Sequence, residues 1–257
     1  MLRIKNEEMN IKNVLIGIVN VFDEIILVDN NSTDKTLAIV NELKEENVEL
    51  SNKLKIYNYP FQVAKCGIDN FNTHPDSLRS LAYFYNYSLS KCNFSYVMKW
   101  DGDMFLPSFL KNDFKNYISK LTKNKKPVLG APKGLTVFKG LDSKFYYRKN
   151  SFEEEIRIFN NYSANTFEKD VLWERFQNKV ESEKISSGKN IFIEYKDVNK
   201  NEFSHWDEGY LGMGPRKRRE LKDFKIIHKL TSNKEEDIST IIEALGFTTI
   251  SGEKIFK

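Results

Sequence analysis

The sequence predicts an α/β protein, a three-layer α/β/α sandwich with a central, mostly parallel sheet. Three observations predict it. Short runs rich in Ile and Val recur along the first hundred residues, stretches with apolar residues at helical spacing separate them, and polar clusters mark the junctions. An alternating β-α-β-α-β order favours parallel strands joined by right-handed crossovers. The 257 residues, about 40% apolar and 13% aromatic, are enough for a substantial core.

Taken in order, "LRIK" (2–5) reads as a short strand, and "EEMNIKNVLIGIVNV" (7–21) as a helix with Ile11, Leu15 and Ile18 on one face. "EIILVD" (24–29) is a buried strand ending in the polar cluster "NNSTD". In "KTLAIVNELKEE" (35–46), Leu37, Val40 and Leu43 have helical spacing; Asn31, Ser32 or Thr33 can cap its start, and Asp34 suits the positive end of its dipole. "KLKIYNY" (53–59) reads as a third strand. A helix over 77–91 carries Leu78, Leu81, Ala82, Tyr85 and Leu89 on one face, and "FSYVMKW" (94–100) follows as a strand. Beyond Pro107 the pattern predicts a helix over "FEKDVLWERFQNKV" (167–180), a strand over "NIFIEY" (190–195), and a final helix, "EEDISTIIEAL" (235–245), stopped by Gly246. We read one domain over 1–257, with a nucleotide-binding half (1–107) and a half that binds the acceptor and completes the site (108–257).

Composition narrows the functional classes. No segment approaches the roughly 20 apolar residues needed to cross a bilayer, and no basic start followed by an apolar run marks a leader, which predicts a cytoplasmic protein. Cys66 and Cys92 lack Cys-x-x-Cys spacing, so buried thiols are expected rather than a bridge or a zinc site. The net charge of +4 resides largely in "KNKK" (123–126) and "RKRR" (216–219), which suit phosphate, a peripheral membrane contact or water. No interleaving of aromatic and basic residues accompanies "RKRR", which argues against nucleic acid.

The candidate site centres on Asp101-Gly102-Asp103, directly after the strand "FSYVMKW". With 14 aspartates in the chain, roughly one Asp-x-Asp arises by chance, and a solvated turn is the plain alternative. Position gives the motif weight, because ligands of open α/β sheets bind outside the carboxyl ends of the strands.

Three stretches in order, "RIKNEE" (3–8), "DEIILVDNNSTDKT" (23–36) and "YVMKWDGDMFLP" (96–107), resemble the family 2 type of glycosyltransferase with the GT-A fold. The resemblance covers about the first 110 residues and loosely the rest. It implies a metal-dependent, inverting transfer of a sugar from a UDP- or GDP-sugar to a hydroxyl of a glycan, lipid-linked or protein acceptor, with Mn2+ or Mg2+ as cofactor. It implies that Asp29 contacts the base or ribose, with Asn30 where the family often has a second acid. Glu7 or Glu8 lies beside the nucleotide, although a dipole role at a helix start serves either glutamate as well. Arg79, seven residues ahead of Asn86, can reach the nucleotide or diphosphate. Asp103 is the direct metal ligand, and Asp101 contacts ribose or metal-bound water. Glu168 and Asp170 supply the base that takes the acceptor proton, with "FEEE" (152–155) as the rival source and first-turn helix acids as the non-catalytic reading. His205 reaches the metal or diphosphate from a flap whose end, Arg216 to Arg219, adds cationic contacts; His74 and His228 are assigned no role. A sugar nucleotidyltransferase is expected to have a glycine-rich loop after its first strand, and "RIKNEEMN" has no glycine. A non-catalytic nucleotide- or glycan-binding module is the remaining alternative.

Overall fold

The computed structural model describes residues 1–149, 151, 153–198, 214–232 and 238–256. Its first half is built from β1 (Leu2–Ile4), α1 (Ile11–Ile18), β2 (Ile25–Asp29), α2 (Thr36–Glu46), α3 (Val48–Lys53), β3 (Leu54–Asn58), α4 (Ile68–Asn72), α5 (Leu81–Leu89), β4 (Tyr96–Met98) and β5 (Trp100–Asp101). The second half adds β6 (Met104–Phe105), α6 (Ser108–Thr122), β7 (Val128–Lys139), β8 (Phe145–Arg148), β9 (Glu153–Glu154), β10 (Ile158–Asn160), β11 (Thr166–Lys169), β12 (Glu174–Gln177) and β13 (Glu183–Asp197). It closes with α7 (Pro215–Ser232), α8 (Ile238–Ala244), β14 (Phe247–Ile250) and α9 (Gly252–Phe256).

A parallel sheet runs in the order β3-β2-β1-β5. The stretch 96–101 belongs to two sheets: its second half pairs with β1, while its first half pairs antiparallel with β10. The crossover falls at Lys99, whose N–H donates to the Arg157 carbonyl at 2.7 Å, whereas that of Trp100 donates to the Met1 carbonyl at 3.0 Å. Beyond β10 lie β7, antiparallel to it, and β13, parallel to β7 over a long register. Thus β3, β2, β1, the 96–101 strand, β7 and β13 share one direction, with β10 alone reversed among them, which is the mostly parallel arrangement that the βαβ pattern predicts.

Residue alternation explains the three layers. Along β2, Ile25 and Leu27 enter the core shared with α1, α2 and α3, while Ile26 and Val28 enter a second core with Phe84 of α5. Successive side chains of a strand face opposite ways, so one apolar run serves both faces. The α1 helix presents Ile11, Val14, Leu15 and Ile18, all buried, as its period requires.

Four expectations change. The first helix starts at Ile11 rather than near Glu7, because the N–H groups of Glu7 and Glu8 turn away to Thr36 Oγ1 (2.7 Å) and Asp34 Oδ2 (3.1 Å), and Asn6 is left-handed with φ 57°. Residues 167–180 form the hairpin β11-β12, not a helix. Phe167 and Phe176 face each other across it and close over Phe159, the Phe159 and Phe176 rings stacking 4.0 Å apart, so aromatic packing at strand period overrides the helical spacing. Helix α6, with Phe114, Tyr117 and Leu121 buried, occupies a stretch that has no predicted element. Gly246, at φ 81°, does stop α8, but β14 follows it and pairs with β8, so that helix is not the last element. No helix among the described residues is long and apolar enough to cross a membrane.

Candidate active site

The parallel strands deliver their last residues to one edge. There β2 ends in Asp29, buried at 2% exposure, and the 96–101 strand ends in Asp101. The loops after β1 and β2 are tied together: Asn6 N–H donates to Ser32 Oγ (2.9 Å), Thr33 N–H to Asn6 Oδ1 (2.8 Å), and Lys35 N–H to Glu8 Oε2 (3.0 Å). This lacing takes up the polar side chains of Ser32, Asp34 and Glu8, so Glu8 braces the loop.

Asp29 Oδ2 accepts from the Ser32 N–H at 3.0 Å, whereas Oδ1 is buried with no hydrogen-bond partner among the described residues. A buried carboxylate oxygen left unsatisfied costs free energy, and at a strand end it is an acceptor for a ligand donor. Asn30 is differently occupied. Its amide donates to the carbonyls of Tyr59 (3.1 Å) and Phe61 (2.5 Å) and accepts from Val63 N–H (3.3 Å), so it anchors the loop after β3. Glu7 lies against Gly102: a Cβ at that glycine would meet the Glu7 side chain at 2.7 Å. Glu7 Oε2 also accepts from Asn10 Nδ2 at 2.9 Å.

Around Asp101 and Asp103 the site is crowded with ion pairs. Arg3 Nη2 donates to Asp101 Oδ1 at 2.8 Å and Arg157 Nη1 to Oδ2 at 2.6 Å; both guanidinium side chains are almost wholly buried, and that of Arg3 lies 3.6 Å above the Tyr85 ring. Burial alone would raise the Asp101 pKa, but Arg157 and Arg3 hold it well below the carboxylate range. Glu155 accepts from Lys99 (2.6 Å) and pairs with Arg157 (3.2 Å); against the cost of burial, Lys99, Arg157 and Arg216 lower it to about 2. Asp103 Oδ2 accepts a short hydrogen bond from Lys196, whose Nζ also stands 3.4 Å from Glu194 and 3.6 Å from Glu220. Against the cost of burial, Lys196 and Arg216 lower Glu194 to about 2, whereas burial and the nearby Glu194 and Asp101 push Asp103 upward despite its bond to Lys196.

Arg216, in the first turn of α7, comes within 3.8 Å of Glu194 and 3.9 Å of Glu155. The "RKRR" cluster is helical rather than the end of a flap loop, and it brings Arg216 and, through Glu220, Lys217 to this network. Asp170 sits in the turn of the hairpin, with Oδ2 accepting from Arg175 at 2.5 Å and Oδ1 from Val171 N–H at 2.8 Å. The Asn70 amide fastens that turn through the Asp170 and Trp173 carbonyls, at 3.4 and 3.3 Å. Glu168 lies more than half exposed, 3.8 Å from Lys179. Arg79, also half exposed, lies ahead of α5 rather than in it and reaches Asp69 at 3.3 Å. His205 lies outside the described residues.

The metal-ligand roles implied for Asp101 and Asp103 do not fit this arrangement. Mg2+ and Mn2+ take oxygen ligands, commonly one or two carboxylates plus substrate phosphates. Here both oxygens of Asp101 are held by guanidinium groups and Asp103 is bonded to an ammonium, so cations already neutralise the acids. Among the described residues no group of three or more His, Cys, Asp and Glu is arranged to hold a metal ion.

Sequence reasoning missed Arg3, Lys99, Arg157, Glu174, Glu194, Lys196 and Glu220, and offered Glu155 only as part of the rival acidic run. A signal existed: Arg3, Lys99, Glu194 and Lys196 interrupt apolar strands, and they are buried. A charged residue there needs a partner, and partners cluster. Burial raises the Glu174 pKa, with Lys99 and Arg3 opposing. The thiol of Cys66, near the same acids, is pushed up to about 12, chiefly by burial.

The framework is an α/β one that brings strand-end acids to the carboxyl edge of a parallel sheet, the edge at which ligands of open α/β sheets bind. Residues 3–64, about the first quarter of the chain, match the model of glycosyl transferase family 2. The matched segment contains Glu7, Asp29 and Asn30; Asp101 and Asp103 lie beyond it. Comparison with curated proteins finds no match. Among solved structures, S. aureus TarS 1–349 in complex with UDP-GlcNAc is 14% identical, with 92% of this chain and 67% of that one covered and a TM-score of 0.48. The same fragment without that ligand is 13% identical over 77% and 59%, with a TM-score of 0.45, so the chain spans less than two thirds of that protein. The mannosyltransferase PcManGT from Pyrobaculum calidifontis, in complex with GDP-Man and Mn2+, is 21% identical over 52% of this chain and 34% of its own, with a TM-score of 0.36.

Proposed function

We propose that the protein transfers a sugar from a nucleoside-diphosphate sugar to a hydroxyl acceptor, with inversion at the sugar carbon. The observation that carries the reading is the buried Asp29 carboxylate, whose Oδ1 lacks a hydrogen-bond partner among the described residues and lies at a strand end within the segment that matches the glycosyltransferase model. Asp29 Oδ1 accepts a hydrogen bond from the nucleotide's base or ribose.

The reaction breaks the bond between the sugar carbon and the diphosphate, and the electron pair leaves on the diphosphate oxygen. The acceptor oxygen forms the new bond from the opposite face, and its proton goes to a carboxylate. We assign that proton to Asp170. It sits in a hairpin turn held by Asn70, and its partner Arg175 lies on the surface, whereas Glu168 faces solvent. Arg216, at the start of α7, is placed to meet developing charge on the diphosphate. The substrates are UDP- or GDP-sugars and a glycan, lipid-linked or protein hydroxyl.

Thermal shift and calorimetry with UDP and GDP test this. Either nucleotide should raise the Tm. Asp29→Asn keeps an oxygen for the Ser32 N–H and should fold normally, yet lose at least tenfold in nucleotide affinity. Asp170→Asn should bind nucleotide as wild type does and lose transfer. If neither nucleotide binds the wild-type protein, the donor reading fails.

A further inference from the structure

Lys196 is 5% exposed, yet its ammonium is met by carboxylates from three separate parts of the chain. Asp103 comes from the turn after β5, Glu194 from β13 and Glu220 from α7, all within 3.6 Å of Nζ. Glu194 and Glu220 are 5% and 3% exposed, and each keeps a buried Oε2 with no hydrogen-bond partner among the described residues. Three carboxylates from separate elements thus converge on a side-chain ammonium, and among the described residues no such group is arranged to hold a metal ion. We propose that Lys196 is a tethered cation that commits the acids of this edge, so that a nucleoside diphosphate binds here without Mn2+ or Mg2+.

The energetics favour the tether. A metal entering the cluster would have to displace a buried ammonium from three acceptors, and removing one partner from a buried ion pair leaves an uncompensated charge. Lysine also acts as a point charge toward phosphate. Lys196 has company of the same sign on the side of α7, where Lys217 bonds Glu220 at 3.0 Å and Arg216 stands 3.8 Å from Glu194. Arg216, about one third exposed, offers a diphosphate a cation, whereas Arg3 and Arg157 are committed to Asp101. The part of the proposal that concerns nucleotide rests on the donor reading above; the part that concerns the carboxylate cluster does not.

Two measurements separate the parts. Titrating Mn2+ into the protein alone, followed by electron paramagnetic resonance, should leave the free-ion signal of the wild type undiminished at equimolar protein. Stoichiometric Mn2+ binding by the wild type that disappears in Asp103→Asn would overturn the proposal. Calorimetry of UDP and GDP in EDTA and in Mn2+ should give affinities within about threefold of each other; a tenfold loss on chelation would also overturn it. Binding of neither nucleotide under either condition sinks the donor reading, while the Mn2+ titration still decides what fills the cluster.

Discussion

Gly102 shows how little room the site leaves a single residue. A methyl group there would stand 2.7 Å from the Cγ and Cδ of Glu7, a side chain also held by Asn10. Gly102→Ala should therefore cost about 1–2 kcal/mol of stability, the usual range for a forced fit, measurable as a lower urea midpoint. Displacing Glu7 from the nucleotide edge should weaken UDP or GDP binding more than the stability loss explains; unchanged affinity would remove Glu7 from the site. At this scale the sequence was partly legible. Asp29, Glu7 and the Asp101-Gly102-Asp103 turn were visible because strand ends and turn residues leave local marks. The cations that hold those acids were not, since Arg157 and Lys196 are distant in sequence and meet Asp101 and Asp103 only through sheet pairing across β10 and β13.

At the level of elements, the hairpin β11-β12 is clamped to α5 as well as packed on Phe159 and tied by Asn70. Asn86 of α5 donates from Nδ2 to the Phe167 carbonyl at 2.8 Å and accepts from the Phe167 N–H at 2.7 Å. Asn86→Ala leaves both backbone groups unpaired in a partly buried place, and we expect a loss of about 2–3 kcal/mol in chemical denaturation. Because the hairpin turn carries Asp170, turnover should fall in the same variant while nucleotide binding persists; equal loss of both would mean that the hairpin supports the nucleotide edge as well. The four strand segments up to residue 101 could be read from the chain because each is a short apolar run bounded by polar residues, the last of them dividing into β4 and β5. The hairpin could not, because Phe167, Leu172, Trp173 and Phe176 suit a helical face and a strand face alike, and Phe159 and Asn86 decide between them.

Across the whole molecule, the buried acids set the response to pH. Glu155 and Glu194 fall from the ordinary 4.5 to about 2, and Asp101 is also lowered, so their ionised forms favour the folded state. The unfolded chain takes up protons first as pH falls, so the stability these groups contribute is complete above about 4.5 and is lost on the way down to about 2. Glu174, raised by burial, and Asp103, raised by burial and by Glu194 and Asp101, work in the opposite sense. A Tm profile by circular dichroism should fall steeply below pH 4.5; a flat profile down to pH 3 would mean that the cations around Asp101 and Glu194 are not paired in solution. The single strand 96–101 has a further consequence. Because it pairs with β1 in one sheet and β10 in the other, the two halves of the molecule share a continuous backbone beam that ends at Asp101. A jaw-like closure of one half on the other would have to bend that beam, so under the proposed transfer the admission of substrate and release of product would fall to the loops that follow the strands.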